Sequence, residues 1–123
     1  MSVDTPDGAV ATRRPGPGPD DPAHPVRVVV WYRAPEGDDA SVTAAYHRIS
    51  EALAGTPGLT GNELLRSVTN KAAFAVMSHW ESFEVFDRWE RGPSHQEATA
   101  PLMPYLDRAP NRHFELYEVT AAY

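Results

Sequence analysis

The chain of 123 residues contains no cysteine, which excludes disulfides, thiolate metal sites and a cysteine nucleophile together. It has no apolar run approaching the length of a membrane span, and its first stretch, "MSVDTPDGAVATRRPGPGPD", lacks the apolar segment of a secretory signal. A membrane is therefore not expected as a partner. Positive charge is scarce too. Eleven Lys and Arg stand against 17 Asp and Glu, a formal net charge of −6, and no basic cluster of the kind that grips a phosphate backbone occurs. Nucleic acid is excluded on that ground. The histidines form no His-x-His or His-x3-His pair; His47, His79, His95 and His113 fall in four separate segments, so no metal site is expected. "RPGPGPD" does not connect a strand to a helix and is no phosphate loop. Ser67, Ser78 and Ser94 lack the setting of a nucleophile elbow. These absences are compatible with a cytoplasmic protein.

Pro, Gly and Asp dominate residues 1 to about 25. They offer few bulky apolar groups to offset ordering entropy, and a disordered arm is expected there, with one folded domain over 26–123. "VRVVVWYRA" is β-branched and aromatic and runs into Pro35-Glu36-Gly37, the mark of a strand ending in a turn. Asp39 or Ser41 is placed to cap "SVTAAYHRISEALAG", in which Val42, Ala45, Tyr46, Ile49 and Leu53 recur at helical spacing. "LTGNELLRSV" reads as a second strand with a bulge or close approach at Gly61. "AAFAVMSHW" reads as a third, with Phe74, Val76, Ser78 and Trp80 on one face and Ala75, Met77 and His79 on the other. Ser82 caps "FEVFDRWERG", with Phe83, Phe86 and Trp89 on its inner stripe and Asp87 and Glu90 on its solvated side. "SHQEATAPLMPYL" is a helical piece broken by Pro101 and Pro104, either a lid or the return to a last strand. In that strand, "RHFELYEVT", the apolar alternation slips by one, so a bulge is expected.

The order β-α-β-β-α-β predicts an α+β, ferredoxin-like fold: one antiparallel sheet with both helices on one face. Val-rich strands do not leave the other face wet. A second copy of the chain, packed sheet to sheet, is the simplest cover, and a homodimer is expected.

Three elements carry a resemblance: "PGLTGNELLRS" at the second strand, the Trp80, Ser82 and Phe86 step from strand to helix, and "GPSH" at Gly92 to His95. With them, the chain from Val26 to Tyr123 resembles the antibiotic biosynthesis monooxygenase family of dimeric α+β-barrel proteins. The resemblance implies oxidation of an electron-rich polycyclic phenol or anthrone by molecular oxygen, with no flavin, haem or metal cofactor. The substrate anion itself is then the reductant. Trp80 matches the tryptophan that ends the third strand in many members, where its N–H can donate to substrate or oxygen adduct. The asparagine that accompanies it four positions earlier is Val76 in this chain, and Asn62 on the second strand is the available amide. The haem-degrading branch is less similar. It uses an asparagine on the first strand, a tryptophan matched in spacing by Trp89, and a histidine iron ligand. Here the first strand has Trp31 and Tyr32 in place of the asparagine, the ligand position falls near Thr99, and His95 lies about one turn earlier.

The candidate pocket is accordingly a slot between sheet and helices lined by Tyr32, Phe74, Trp80, Phe83, Phe86, Trp89 and His95, with Asn62 as a further substrate contact. Tyr32 belongs to it if the even-numbered face of the first strand is inward. His95 is the candidate proton shuttle and Trp80 the group that binds and orients a small aromatic polyketide. Each has a plainer reading: Trp80 and Trp89 as core aromatics, His95 as a helix cap or turn packing. The same slot would also suit a polyketide cyclase or isomerase that needs no oxygen, or a non-catalytic dimeric binding protein.

Overall fold

The computed structural model describes residues 24–38, 40–108 and 114–123. The arm expected before residue 25, Asp39 and His113 lie outside the described residues, His24 and Pro25 excepted. Four strands and three helices follow in the order β1 (Val26–Arg33), α1 (Ala40–Leu53), β2 (Leu59–Arg66), β3 (Ala73–Trp80), α2 (Phe83–Arg91), α3 (Ser94–Thr99) and β4 (Glu115–Glu118). A 3₁₀ segment, Ala100–Tyr105, joins α3 to the chain that returns toward the sheet. The strands form one sheet in the order β2-β3-β1-β4, every pair antiparallel. This is the ferredoxin-like fold that the element order predicts.

Local chemistry sets the boundaries. Ser82 Oγ accepts from Val85 N at 3.3 Å and caps α2, with Glu84 in the first turn and Arg88 and Arg91 in the last, the charge order that a helix dipole favours. At α1 the cap differs from expectation. Asp38 supplies it, accepting from Ser41 N at 3.3 Å and from Ser41 Oγ at 2.7 Å, while Ser41 already lies inside the helix. Gly58, at φ 84°, turns the chain into β2 where a Cβ would stand 2.6 Å from Val85 Cγ2, so the turn requires glycine twice over.

Registry fixes the faces. Val26, Val28, Val30 and Tyr32 of β1 oppose Trp80, Ser78, Val76 and Phe74 of β3, all on the helix-bearing side. On β2, Leu59 opposes Trp80 and Gly61 opposes His79, a register shift that absorbs one residue at the expected bulge. Asn62 thereby opposes Ser78. Among the described residues the bulge expected in the last strand is absent. Residues 115–118 pair in unbroken register with Val29 to Val26, and Glu118, at the end of an edge strand, reaches solvent without one.

Two buried clusters occupy the helix-bearing side. One joins Phe74, Val42, Ala45, Ile49, Leu102 and neighbours under α1; the other joins Val26, Val28, Trp80 and Phe86 under α2. Among the described residues no element covers the opposite face. It presents Trp31, Ala75 and Met77 with the more exposed Leu65 and Tyr117, beside His79, whose buried Nε2 stands 3.4 Å from Glu63 Oε1 without hydrogen-bond geometry. Among the described residues no helix is long and apolar enough to cross a membrane.

Candidate active site

Where the two clusters meet, the sheet and helices do not close on each other. They leave a cavity of about 330 Å³, within the range of small-molecule sites. Val28, Val30, Val76 and Ser78 form its floor; Phe86, Trp89 and Glu90 of α2 and His95 and Thr99 of α3 form one side. Ile49 and Leu53 of α1 form another, and Met103, Leu106 and Phe114 complete the rim.

The aromatic wall is a connected stack. Trp80 lies edge-on to Phe86 with centroids 5.4 Å apart and tilts against Trp89 at 5.1 Å. Phe86 in turn meets Phe114 at 6.1 Å, edge-on. Such pairs add roughly 0.5–1.5 kcal/mol each beyond area burial, which holds the wall rigid while the space beside it stays open.

The polar groups are few and mostly turned inward. Tyr32 is 6% exposed and lines the cavity through the even-numbered face of β1, with burial pushing its phenol up to about 12. It therefore stays a neutral donor across the physiological range. His95, in the first turn of α3, sets its ring edge-on against Trp89 at 4.7 Å, and its backbone carbonyl accepts from Thr99 Oγ1 at 2.9 Å. The imidazole nitrogens have no hydrogen-bond partner among the described residues, so they are available to a ligand. Asn62 borders the cavity and also a smaller recess of about 170 Å³ beside the end of α1.

Of the residues expected in the pocket, Tyr32, Asn62, Trp80, Phe86, Trp89 and His95 come together in this wall. Phe74 does not. It sits at the far end of β3, 4% exposed, where the side chains of α1 and the 3₁₀ segment already fill the space above it. Phe83 does not either; it is 46% exposed and lies tilted beside Phe86, with ring centroids 6.5 Å apart. The inner stripe of α2 is rotated from the one expected. Phe86, Trp89 and Glu90 face the cavity, and Glu90 is a wall residue and not part of a solvated face. The spacing from Phe86 to Glu90, four residues, carried that signal. Ser78 was likewise legible as a neighbour of Trp80 on one strand face, but a serine in a strand gives no cue to its role. Trp80 itself, 1% exposed, does not offer its N–H to the cavity, because Nε1 donates to Ser78 Oγ at 2.9 Å.

An apolar, aromatic-walled cavity under the helices of a ferredoxin-like sheet, with an imidazole, a phenol, an amide and a carboxylate at its edges, defines a small-molecule site on this fold. Residues 25–101 match the family of antibiotic biosynthesis monooxygenases, and the chain belongs to that family. It is 32% identical over 96 residues to protein SchA of Streptomyces halstedii, covering 78% of this chain and 25% of SchA. It is 31% identical over 70 residues to the mycobilin-producing heme oxygenase of Mycobacterium tuberculosis, covering 57% of this chain and 67% of that protein. The chain thus spans only a quarter of SchA and about two thirds of the mycobacterial enzyme. Among solved structures, SnoaB, a cofactor-independent oxygenase from Streptomyces nogalater, superposes with a TM-score of 0.62 at 20% identity, over 82% of this chain and 96% of SnoaB. That similarity is one of fold.

The heme oxygenase relative raises the question of whether this wall suits a haem. A haem needs an iron ligand and cations for two propionates. Among the described residues His95 is the one imidazole in the wall and no Lys or Arg lines it, while Glu90 adds a carboxylate. The donor set of the described residues does not fit a dianionic macrocycle. Among the described residues no three His, Asp or Glu converge as a metal site.

Proposed function

We propose that the protein is a cofactor-independent oxygenase that oxidises a planar polycyclic phenol or anthrone of aromatic polyketide type, with molecular oxygen as co-substrate. The cavity carries this reading: a slot of about 330 Å³ walled by Trp80, Phe86 and Trp89, with His95 at its side. Its flat apolar walls suit fused rings, and its few polar edges suit an oxygen-bearing rim. SnoaB, described as a cofactor-independent oxygenase, supports it.

In this reading the aromatic wall orients the substrate and excludes water, and His95 takes the proton whose loss makes the ring system an electron-rich anion. That anion passes one electron to oxygen. The substrate radical and superoxide combine at the ring carbon, and the peroxide, taking a proton back from His95, loses water. An anthrone methylene thereby becomes a carbonyl: one oxygen atom enters the product, the other leaves as water, and the substrate supplies all four electrons that reduce the oxygen molecule. The protein acts as a cytoplasmic homodimer whose mate covers the apolar sheet face of Trp31, Ala75, Met77 and Leu65.

The test is turnover of an anthrone such as 1,8-dihydroxyanthrone, in air and without oxygen, against a protein-free control. Expected are one oxygen molecule consumed per quinone, one labelled atom from ¹⁸O₂ in the product, and a loss of about 10²-fold or more in His95→Ala. Conversion of a polyketide to a non-oxidised product without oxygen would replace this reading with cyclisation or isomerisation. Full turnover in both His95→Ala and Trp80→Phe would move the chemistry to other residues, and wild-type turnover no faster than the protein-free control would favour a binding protein.

A further inference from the structure

Two polar side chains on the cavity floor stand directly opposite each other on neighbouring strands: Asn62 on β2 and Ser78 on β3. Facing residues of an antiparallel pair carry their Cβ atoms about 4.5–5.5 Å apart, close enough for both to reach one ligand atom. What each can offer is decided by groups behind it.

Asn62 Oδ1 accepts from Tyr46 Oη at 2.5 Å and from Ser50 Oγ at 3.2 Å, both on α1. With both hydroxyls on Oδ1, the carbonyl end of the amide is the end turned to α1. Tyr46 Oη also lies 3.3 Å from the Asn62 backbone oxygen. The NH₂ end has no acceptor among the described residues, and Asn62 lines the cavity. Ser78 Oγ is fixed from the other side, by the 2.9 Å bond it accepts from Trp80 Nε1. A hydroxyl that accepts still has one hydrogen to give, and no protein acceptor for it is found among the described residues. Both groups are thus committed as acceptors toward the protein and left as donors toward the cavity.

We infer that Asn62 and Ser78 form a two-donor cradle for one oxygen of the bound aromatic, and that they favour it as a phenolate or enolate. Tyr46, Ser50 and Trp80 are positioning residues: they hold no ligand oxygen themselves but fix which end of each donor meets it. Donors oriented before the charge develops cost no reorganisation when it does, and the indole bond polarises the serine hydroxyl in the direction needed. The cradle rests on the reading of the cavity as an aromatic-substrate site, and does not require oxygen chemistry there.

The probe is 2-hydroxyanthraquinone, whose ionisation is visible in its absorbance and which is not a substrate for oxidation, with 2-methoxyanthraquinone as the form that cannot ionise. On the wild-type protein the bound phenol is expected to ionise at lower pH than in solution. Asn62→Leu and Ser78→Ala should each weaken binding of the anion about tenfold or more, with the methoxy compound affected no more than about threefold. Ser78→Thr, which keeps the hydroxyl, should retain the preference. Tyr46→Phe with Ser50→Ala should move the bound ionisation back toward the free value while leaving methoxy affinity unchanged, which a merely structural role would not do. Asn62→Leu leaves the indole bond intact and decides the matter even if Ser78→Ala does not fold. Failure of the wild type to bind the probe, or an unchanged ionisation in Asn62→Leu and Ser78→Ala, overturns the cradle. Loss of anion preference in those variants, in a protein without oxygenase turnover, would keep the cradle and overturn the oxygenase.

Discussion

Trp80 Nε1 donates to Ser78 Oγ, a residue two positions back on the same strand and the same face. The bond satisfies a buried indole without a partner from any other element. It also ties the largest side chain of the core to a polar group of the cavity floor, so packing and ligand contact share one hydrogen bond.

Truncating that indole should therefore cost both stability and binding. Trp80→Ala removes a side chain that is 1% exposed and should lower unfolding free energy by about 3–5 kcal/mol. Trp80→Phe keeps most of the packing and should lose about half of that or less. Urea unfolding followed by circular dichroism measures both, and equal losses would mean that the indole N–H bond matters more than the ring.

Gly58→Ala should be destabilising by about 1–3 kcal/mol, since it forces a side chain onto a left-handed backbone and into Val85. The double variant Gly58→Ala/Val85→Ala should recover the part owed to overlap and none of the part owed to φ. A thermal-melt double-mutant cycle separates the two, and full recovery would assign the whole cost to overlap.

Tyr32 gives a pH signature. Its phenol is raised from 10.0 to about 12 by burial, so below pH 10 it is neutral whether the chain is folded or not, and it adds no pH dependence. Between pH 10 and 12 the unfolded chain binds fewer protons than the native one, and stability falls as pH rises. The full effect is on the order of 2–3 kcal/mol. Tyr32→Phe should flatten the wild-type decline over that window, read as urea midpoints from pH 9 to 11.5; parallel declines in both proteins would show that the phenol ionises as in solvent.

Assembly is tested on the open sheet face. Met77→Glu, at the centre of β3 and pointing away from the cavity, should leave the domain folded and shift sedimentation from twice the 13.5 kDa chain mass to a single chain. A wild-type protein that sediments as a monomer would remove the sheet-to-sheet mate.

Much of this was legible in the residues, and the rest was hidden for physical reasons. Strand alternation gave the faces of β3 outright, because period two tolerates no ambiguity once Trp80 and Phe74 are on one side. Helix α2 was harder. Phe83 looks like part of a stripe with Phe86, yet helix rotation is set by the Ser82 cap and by the stacking of Phe86 on Trp80, and these leave Phe83 outside and bring Glu90 in. Phe74 could not be separated from the pocket by pattern, since a filled core and an open slot are lined by the same residue types. The direction of the Trp80 N–H was beyond sequence because serine in a strand is read as neutral.

The register shift between Leu59 and Gly61 settles which side chain of β2 a ligand meets. Counted straight through, the pleat would turn Gly61 inward and send Asn62 to the far side of the sheet. One surplus residue reverses that parity and installs an amide where bare backbone would otherwise lie. A change that let all of these residues pair straight through would therefore put bare backbone on the floor in place of the amide, a short route by which one scaffold comes to prefer a different guest.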